Sequence, residues 1–187
     1  MSIMSEVTYV EQHAECLVTN EELQQAISIM AQNINTQLVD TYPVVLTVMV
    51  GGLVTMGQLA LHLRVPHQMD YLHASRYQGN LEGKTLEWRV KPTISLKDRT
   101  VLIVDDVLDY GITLKSIVDY CYQQQAKQVY TAVLVEKLHE QPRSNNAVNK
   151  ADFTGVTVPN KYIFGYGLDY KGYLRNAPGI FAIPEHT

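Results

Sequence analysis

Long apolar runs are missing from this sequence. None of the ~18 residues needed for a transmembrane helix occurs among its 187 residues, so no helical membrane span is encoded. The first twenty residues (MSIMSEVTYVEQHAECLVTN) hold neither a basic n-region nor an apolar h-region, and no secretory leader is expected. Cysteine is scarce: Cys16 and Cys121 stand alone in different contexts, which excludes a disulfide framework. The six histidines (His13, His62, His67, His73, His139 and His186) show no zinc-ligand spacing. A basic surplus is absent too, with 15 Lys+Arg against 19 Asp+Glu and a net charge of −4. That balance argues against a general nucleic-acid binder. What is present is 46% hydrophobic residues, enough for an ordinary packed core. These features predict a soluble cytoplasmic protein folded as one domain over residues 1–187.

The order of elements is legible in the patterning. Thr19 and Glu22 have the spacing of a capping box, and Leu23, Ala26, Ile27, Met30 and Ile34 follow as one helical stripe. Pro43 should end that helix by excluding the residue before it from the right-handed helical region. Strands are predicted at Val44–Met49, Met69–Ala74, Leu86–Val90, Val101–Val104 and Val129–Val135, with helices over Thr55–Leu63 and Thr113–Gln125. The polar stretch SRYQGNLEGK at 75–84 reads as a mobile loop. Alternation of this kind implies an α/β fold with a mostly parallel central sheet and flanking helices. From Leu138 onward Pro and Gly break the rhythm. Short strands at Phe153–Thr157, Tyr162–Phe164 and Ile180–Ile183 are expected in an irregular hood lobe. The core would span about 43–137, with residues 1–42 and parts of 138–187 forming the hood.

The chemistry concentrates in VLIVDDVLDYGIT, Val101 to Thr113. A buried strand ends in the carboxylate pair Asp105-Asp106, at the C-terminal sheet edge where open α/β sheets bind ligands. The loop Asp109-Tyr110-Gly111-Ile112-Thr113 leads into a helix, whose first amides and dipole suit a phosphate. Carboxylates do not bind phosphate themselves, but they hold ribose hydroxyls or a Mg²⁺ that bridges to phosphate oxygens. A phosphorylated sugar with a metal is the ligand this combination points to. Receiver domains also place an acidic pair on Mg²⁺, but on the first strand, whereas here it lies mid-chain. Solvated loop carboxylates are the plain alternative, and the spacing of Asp109, Gly111 and Thr113 disfavours it.

Four apolar, two acidic, two apolar, Asp, any, Gly, any, Thr: this segment resembles the phosphoribosyl-pyrophosphate motif of the phosphoribosyltransferases. Lys137, the stretch from Lys161 to Gly167, and Leu168-Asp169-Tyr170 with Arg175 resemble the hypoxanthine-guanine, or 6-oxopurine, branch. Collinear agreement runs from about Pro43 to Ile183. The resemblance implies transfer of 5-phosphoribosyl to hypoxanthine or guanine, with Mg²⁺, by a homodimer or homotetramer. It also implies roles. Asp105 and Asp106 would hold the ribose hydroxyls and a metal, and Asp109 would accept the proton near N7 of the purine. Asp109, Tyr110, Gly111, Ile112 and Thr113 would cradle the 5′-phosphate. Lys137 would meet the C6 oxygen, Tyr162 would stack on the base and Ile163 would read its edge. Asp169 would sit by a second metal and the C2 side. Val50, Gly51, Gly52, Ser75, Arg76 and Arg175 would face pyrophosphate.

Two departures from the family pattern stand out. Val50 replaces a lysine common before the Gly-Gly pair, so any contact there must come from backbone, through the non-proline cis peptide the family shows. The closing loop reads Ser75-Arg76-Tyr77, where Ser-Tyr is common, and Arg76 would offset the missing lysine. Trp88 and the tyrosines at 166, 170 and 173 are expected to pack, Cys121 to sit in the core, and His73 and His139 to be incidental. Two alternatives stay open: a regulator of the same fold that binds RNA or DNA, and a xanthine-preferring enzyme.

Overall fold

Thr19 starts a helix as its spacing to Glu22 requires. Its side chain accepts from the Glu22 amide, and Glu22 reaches back to the Thr19 amide at 2.8 Å. In the computed structural model, which describes residues 2–76 and 86–184, this helix is α2 (Asn20–Gln37). It is preceded by α1 (Ile3–His13) and β1 (Glu15–Thr19). Then come β2 (Val44–Val48), α3 (Gly52–Ala60), β3 (Gln68–Arg76) and β4 (Leu86–Val90). β5 (Thr100–Leu108), α4 (Ile112–Gln123), β6 (Gln128–Leu138), β7 (Phe153–Pro159), β8 (Ile163–Phe164) and β9 (Gly179–Ala182) complete the chain. Tyr42, just before Pro43, has φ +48°, outside the right-handed region as the proline demands.

Six strands form the central sheet in the order β4-β3-β2-β5-β6-β7. All pair in parallel except β4, which is antiparallel to β3 at the edge. Both faces are covered, which is why the strands read as unbroken apolar runs. Val45, Leu102, Val104 and Leu134 pack under Leu23, Ile27, Met30 and Ile34 of α2 and Leu59 of α3. Their neighbours Val44, Leu46, Val101, Ile103 and Val133 point the other way, onto Leu114, Ile117 and Cys121 of α4. The hood is a second sheet, antiparallel, in the order β1-β9-β8. α1 lies with it, burying Val7 and Val10 in the cluster of Phe164, Tyr170 and Leu174.

Three details differ from the sequence expectations. The strand expected over 153–157 joins the central sheet, because its register against β6 (Ala132↔Phe153 to Leu138↔Pro159) supplies a parallel ladder no local pattern announces. α1 and β1 were not anticipated, since α1 buries only Val7 and Val10 and β1 only Val18, too few for a periodic signal. α3 and α4 each begin earlier, at Gly52 and Ile112, directly after the turns that precede them. Trp88 packs as expected, 4.4 Å from the Tyr120 ring, with Lys91 over both.

Candidate active site

Parallel pairing of β2 with β5 in the register Val44↔Val101 brings two strand ends together. The turn after β2 carries Gly51 and Gly52, and the end of β5 carries Asp105 and Asp106. A Cβ on Gly51 would lie 1.7 Å from Asp106 Oδ2, and one on Gly52 would lie 2.8 Å from the Val104 carbonyl. The glycine pair is there because the acidic strand end packs directly on it. Gly167 of the hood closes the stack from above: at φ +107° its missing Cβ leaves room for the Gly51 carbonyl, 2.2 Å from where that atom would be. The Met49–Val50 peptide is cis, as the resemblance implies.

The cavity at this junction measures about 560 Å³. Of the predicted site residues, Val50, Gly51, Asp105, Asp106, Asp109, Tyr110, Gly111, Thr113, Asp169 and Arg175 line it. Gly52 and Ile112 stand just behind, as the first residues of α3 and α4. Gly111 caps α4 with φ +72°, a conformation that favours glycine. A Cβ there would also meet the Val148 carbonyl at 2.2 Å. The turn therefore directs the N-terminus of α4 to the cavity, the usual anion-binding end of a helix.

Charge is arranged unevenly around this space. Burial, then the charge of Asp106, pushes the Asp105 carboxyl well above its ordinary range. Burial raises Asp106 too, against hydrogen bonds and the pull of Arg175. Two adjacent carboxylates in this condition suit a hard divalent cation. Among the described residues no three His, Cys, Asp or Glu side chains converge. Asp169 does not reach across to the pair but holds Arg175 at 2.7 Å, and Arg175 also donates to the Gly167 carbonyl.

Asp109 is in the opposite situation. Lys137 Nζ donates to its Oδ2 at 3.0 Å. His139 Nε2 stands 2.8 Å from Oδ1, close enough for an ion pair when the ring is charged. The pair is out of line for a hydrogen bond, so both atoms are buried without such a partner among the described residues. Arg143, nearly buried, donates to the carbonyls of Asp109, Lys137 and Asn149 and pairs with Glu136. It ties the loop to the end of β6.

Some predicted residues are not brought into the cavity. Tyr162 is 51% exposed, its ring 5.9 Å from Tyr170, and Ile163 is buried in the hood ladder against Ala182. Ser75 and Arg76 pair through their backbones with Glu87 and Leu86. Their side chains, and Tyr77 with the rest of that loop, lie outside the described residues. Arg143 and Arg89 were not among the predicted site residues, and His73 and His139 were expected to be incidental; His73 and Arg89 line the cavity. Arg143 and His139 follow Lys137 closely, and that proximity was the available signal.

The family model described as the phosphoribosyl transferase domain matches residues 13–171. The chain belongs to this family. Similar curated phosphoribosyltransferases include the hypoxanthine-guanine phosphoribosyltransferase of Bacillus subtilis, 32% identical over 166 residues that cover 88% of this chain and 89% of the relative. The enzyme of the same name from Streptococcus pneumoniae is 30% identical over 172 residues, covering 91% and 93%. Among solved structures, a hypoxanthine phosphoribosyltransferase from Staphylococcus aureus superposes with a TM-score of 0.82 at 25% identity, covering 91% of each chain. The central parallel sheet with its antiparallel hood is thus the phosphoribosyltransferase fold, and the protein is a pentosyltransferase. Among the described residues no helix is long and apolar enough to cross a membrane.

Proposed function

We propose that this phosphoribosyltransferase transfers 5-phosphoribosyl from its pyrophosphate to hypoxanthine or guanine, giving the nucleoside 5′-monophosphate and pyrophosphate. The observation that carries the choice of base is the contact of Lys137 Nζ with Asp109 Oδ2 at 3.0 Å, beside the phosphate turn. A 6-oxopurine presents an acceptor, the C6 oxygen, next to a donor, N7–H, on one edge. A donor-only ammonium beside an acceptor-only carboxylate is the complement of that edge. The three hydrogens of Lys137 let it hold Asp109 and the C6 oxygen together.

In this reading the amides from Tyr110 to Thr113 bind the 5′-phosphate, and Asp105 and Asp106 face the ribose hydroxyls. Asp105 and Asp106 would also hold Mg²⁺, and Asp169 would hold a second ion. The cation supplies charge neutralisation for the departing pyrophosphate. Val50, Gly51 and Gly52 with Ser75, Arg76 and Arg175 form the pyrophosphate side. Tyr162 and Ile163 border the base from the hood. As the N9–C1′ bond forms, the purine becomes cationic and its N7–H bond breaks toward Asp109, which takes the proton as general base. The protein acts as one domain over 1–187, in a homodimer or homotetramer within the cytoplasm, and light scattering reads that assembly.

Nucleotide formation from phosphoribosyl pyrophosphate, Mg²⁺ and a panel of hypoxanthine, guanine, xanthine and adenine tests the reading. Hypoxanthine and guanine should be used well and xanthine less well. Adenine used within a hundredfold of hypoxanthine would overturn it.

A further inference from the structure

His139 carries nothing in the sequence that marks it, yet it occupies a boundary. One side of its ring faces Asp109 Oδ1 at 2.8 Å. The residue also lines a separate groove of about 760 Å³ with Leu138, Pro142, Arg143 and Lys161. The Tyr110 ring lies against it with centroids 4.8 Å apart, and its side chain is only 10% exposed. Asp109 Oδ1 and His139 Nε2 are both buried polar atoms without a hydrogen bond among the described residues, and each is the other's nearest candidate. Buried polar atoms left unpaired in this way are uncommon and call for a role.

We propose that His139 is the positioning residue for Asp109 and sets the acid limit of turnover. The inference rests on Asp109 being the proton acceptor. In its neutral form, with the hydrogen on Nε2, His139 donates to Oδ1 after a small rotation and fixes the carboxylate plane. Oδ2 is then presented to the purine N7–H, with Lys137 alongside. When the imidazole is protonated, Asp109 faces two cations at once, and a carboxylate so stabilised is a weaker proton acceptor. Histidine is the side chain that changes charge within the ordinary working range of an enzyme. The charged and titratable groups around His139 are Asp109 and Tyr110 from the β5–α4 loop, Lys137 and Glu140 from its own segment, Arg143 beyond it and Lys161 across the groove. Arg143 is committed to Glu136 and to backbone carbonyls, so among them Asp109 is the partner whose chemistry the ring controls.

The test is the pH profile of kcat between pH 5 and 9 for the parent, H139L and H139Q, with D109N alongside. H139L keeps an apolar body but cannot donate. Its kcat should fall tenfold or more while the KM for hypoxanthine changes less than threefold. H139Q restores an uncharged donor near the Nε2 position. It should recover at least a third of the parent kcat at pH 8.5, and its acid limb should move down by at least one pH unit. A purely structural His139 would leave the shape of the profile unchanged, and superimposable profiles for parent and H139Q would overturn the proposal. H139N carries the same comparison if H139Q does not fold. D109N separates the two readings. If it turns over within threefold of the parent, Asp109 is not the base; if it is inactive while H139Q matches the parent profile, only the role of His139 falls.

Discussion

Asp106 and Asp109 are near neighbours in the chain, yet their carboxylates live under opposite conditions. Asp105 and Asp106 are pressed together against glycines, and burial raises both. Asp109 is met by Lys137 on one oxygen and His139 on the other. The first arrangement is a charge waiting for a cation, and it suits the metal and the sugar. The second is a charge already met by one protein cation, Lys137, and it suits a proton transfer that must be reversed at each turnover. The turn between Val107 and Gly111 keeps the two chemistries apart while both face one cavity.

The largest effect that bears on this contrast concerns the base. Adenine replaces the C6 oxygen with an amino group, which would set a donor against Lys137. A site built to pair a substrate group rejects the analogue lacking it by ~10⁴ or more, and kcat/KM for adenine against hypoxanthine reads this directly. Next comes D109N, which keeps the shape and removes the proton acceptor. Turnover should fall by ~10²–10⁴, the usual contribution of a general base, while isothermal titration still detects nucleotide binding. A D109N enzyme within threefold of the parent would erase the distinction between the two carboxylate groups.

The turn proposed to bind phosphate gives a middle-sized effect. G111V places a β-branched residue at φ +72°, with its Cβ against the Val148 carbonyl. T113A removes one hydroxyl, and a hydrogen bond to a charged group is worth ~1.5–3 kcal/mol. The KM for phosphoribosyl pyrophosphate should rise in both, and more in G111V. The reverse order would mean the turn is not built on its glycine.

The smallest effect is on stability, and it has a sign. Because the Asp105 carboxyl is raised in the fold, its ionisation weakens the folded state as pH climbs through the raised value. D105N should therefore melt higher than the parent at pH 8 and lose that advantage by pH 4. At ~1 kcal/mol the gain would be about 2–4 °C in a chain of this size. Mg²⁺ should raise the parent's melting temperature more at pH 8 than at pH 5, and raise that of D105N less. A D105N protein that melts below the parent at pH 8 would show that the acidic pair is not under mutual repulsion.

The sequence by itself determined the α/β class, the central strands, the capped helix at Thr19 and the motif from Val101 to Thr113. These are local: a capping box, a buried apolar run and a glycine before a helix each act within a few residues, so their physics is written in the neighbours. Only the tertiary structure decided what no neighbour could announce. The parallel ladder of β7 on β6 depends on residues some twenty positions apart pairing backbone to backbone. The need for Gly51 comes from Asp106 across the β2–β5 pairing, and that for Gly167 from Gly51 once the hood folds over the sheet. Arg143 holds the turn after β5 through carbonyl oxygens, a bond type that leaves no side-chain pattern in the acceptor. His139, incidental by its sequence, gains its place because β6 runs beside β5 and carries Lys137 and His139 past the same carboxylate. Charge balance in a folded site is set by distances in space, and those are fixed by strand order rather than by spacing along the chain.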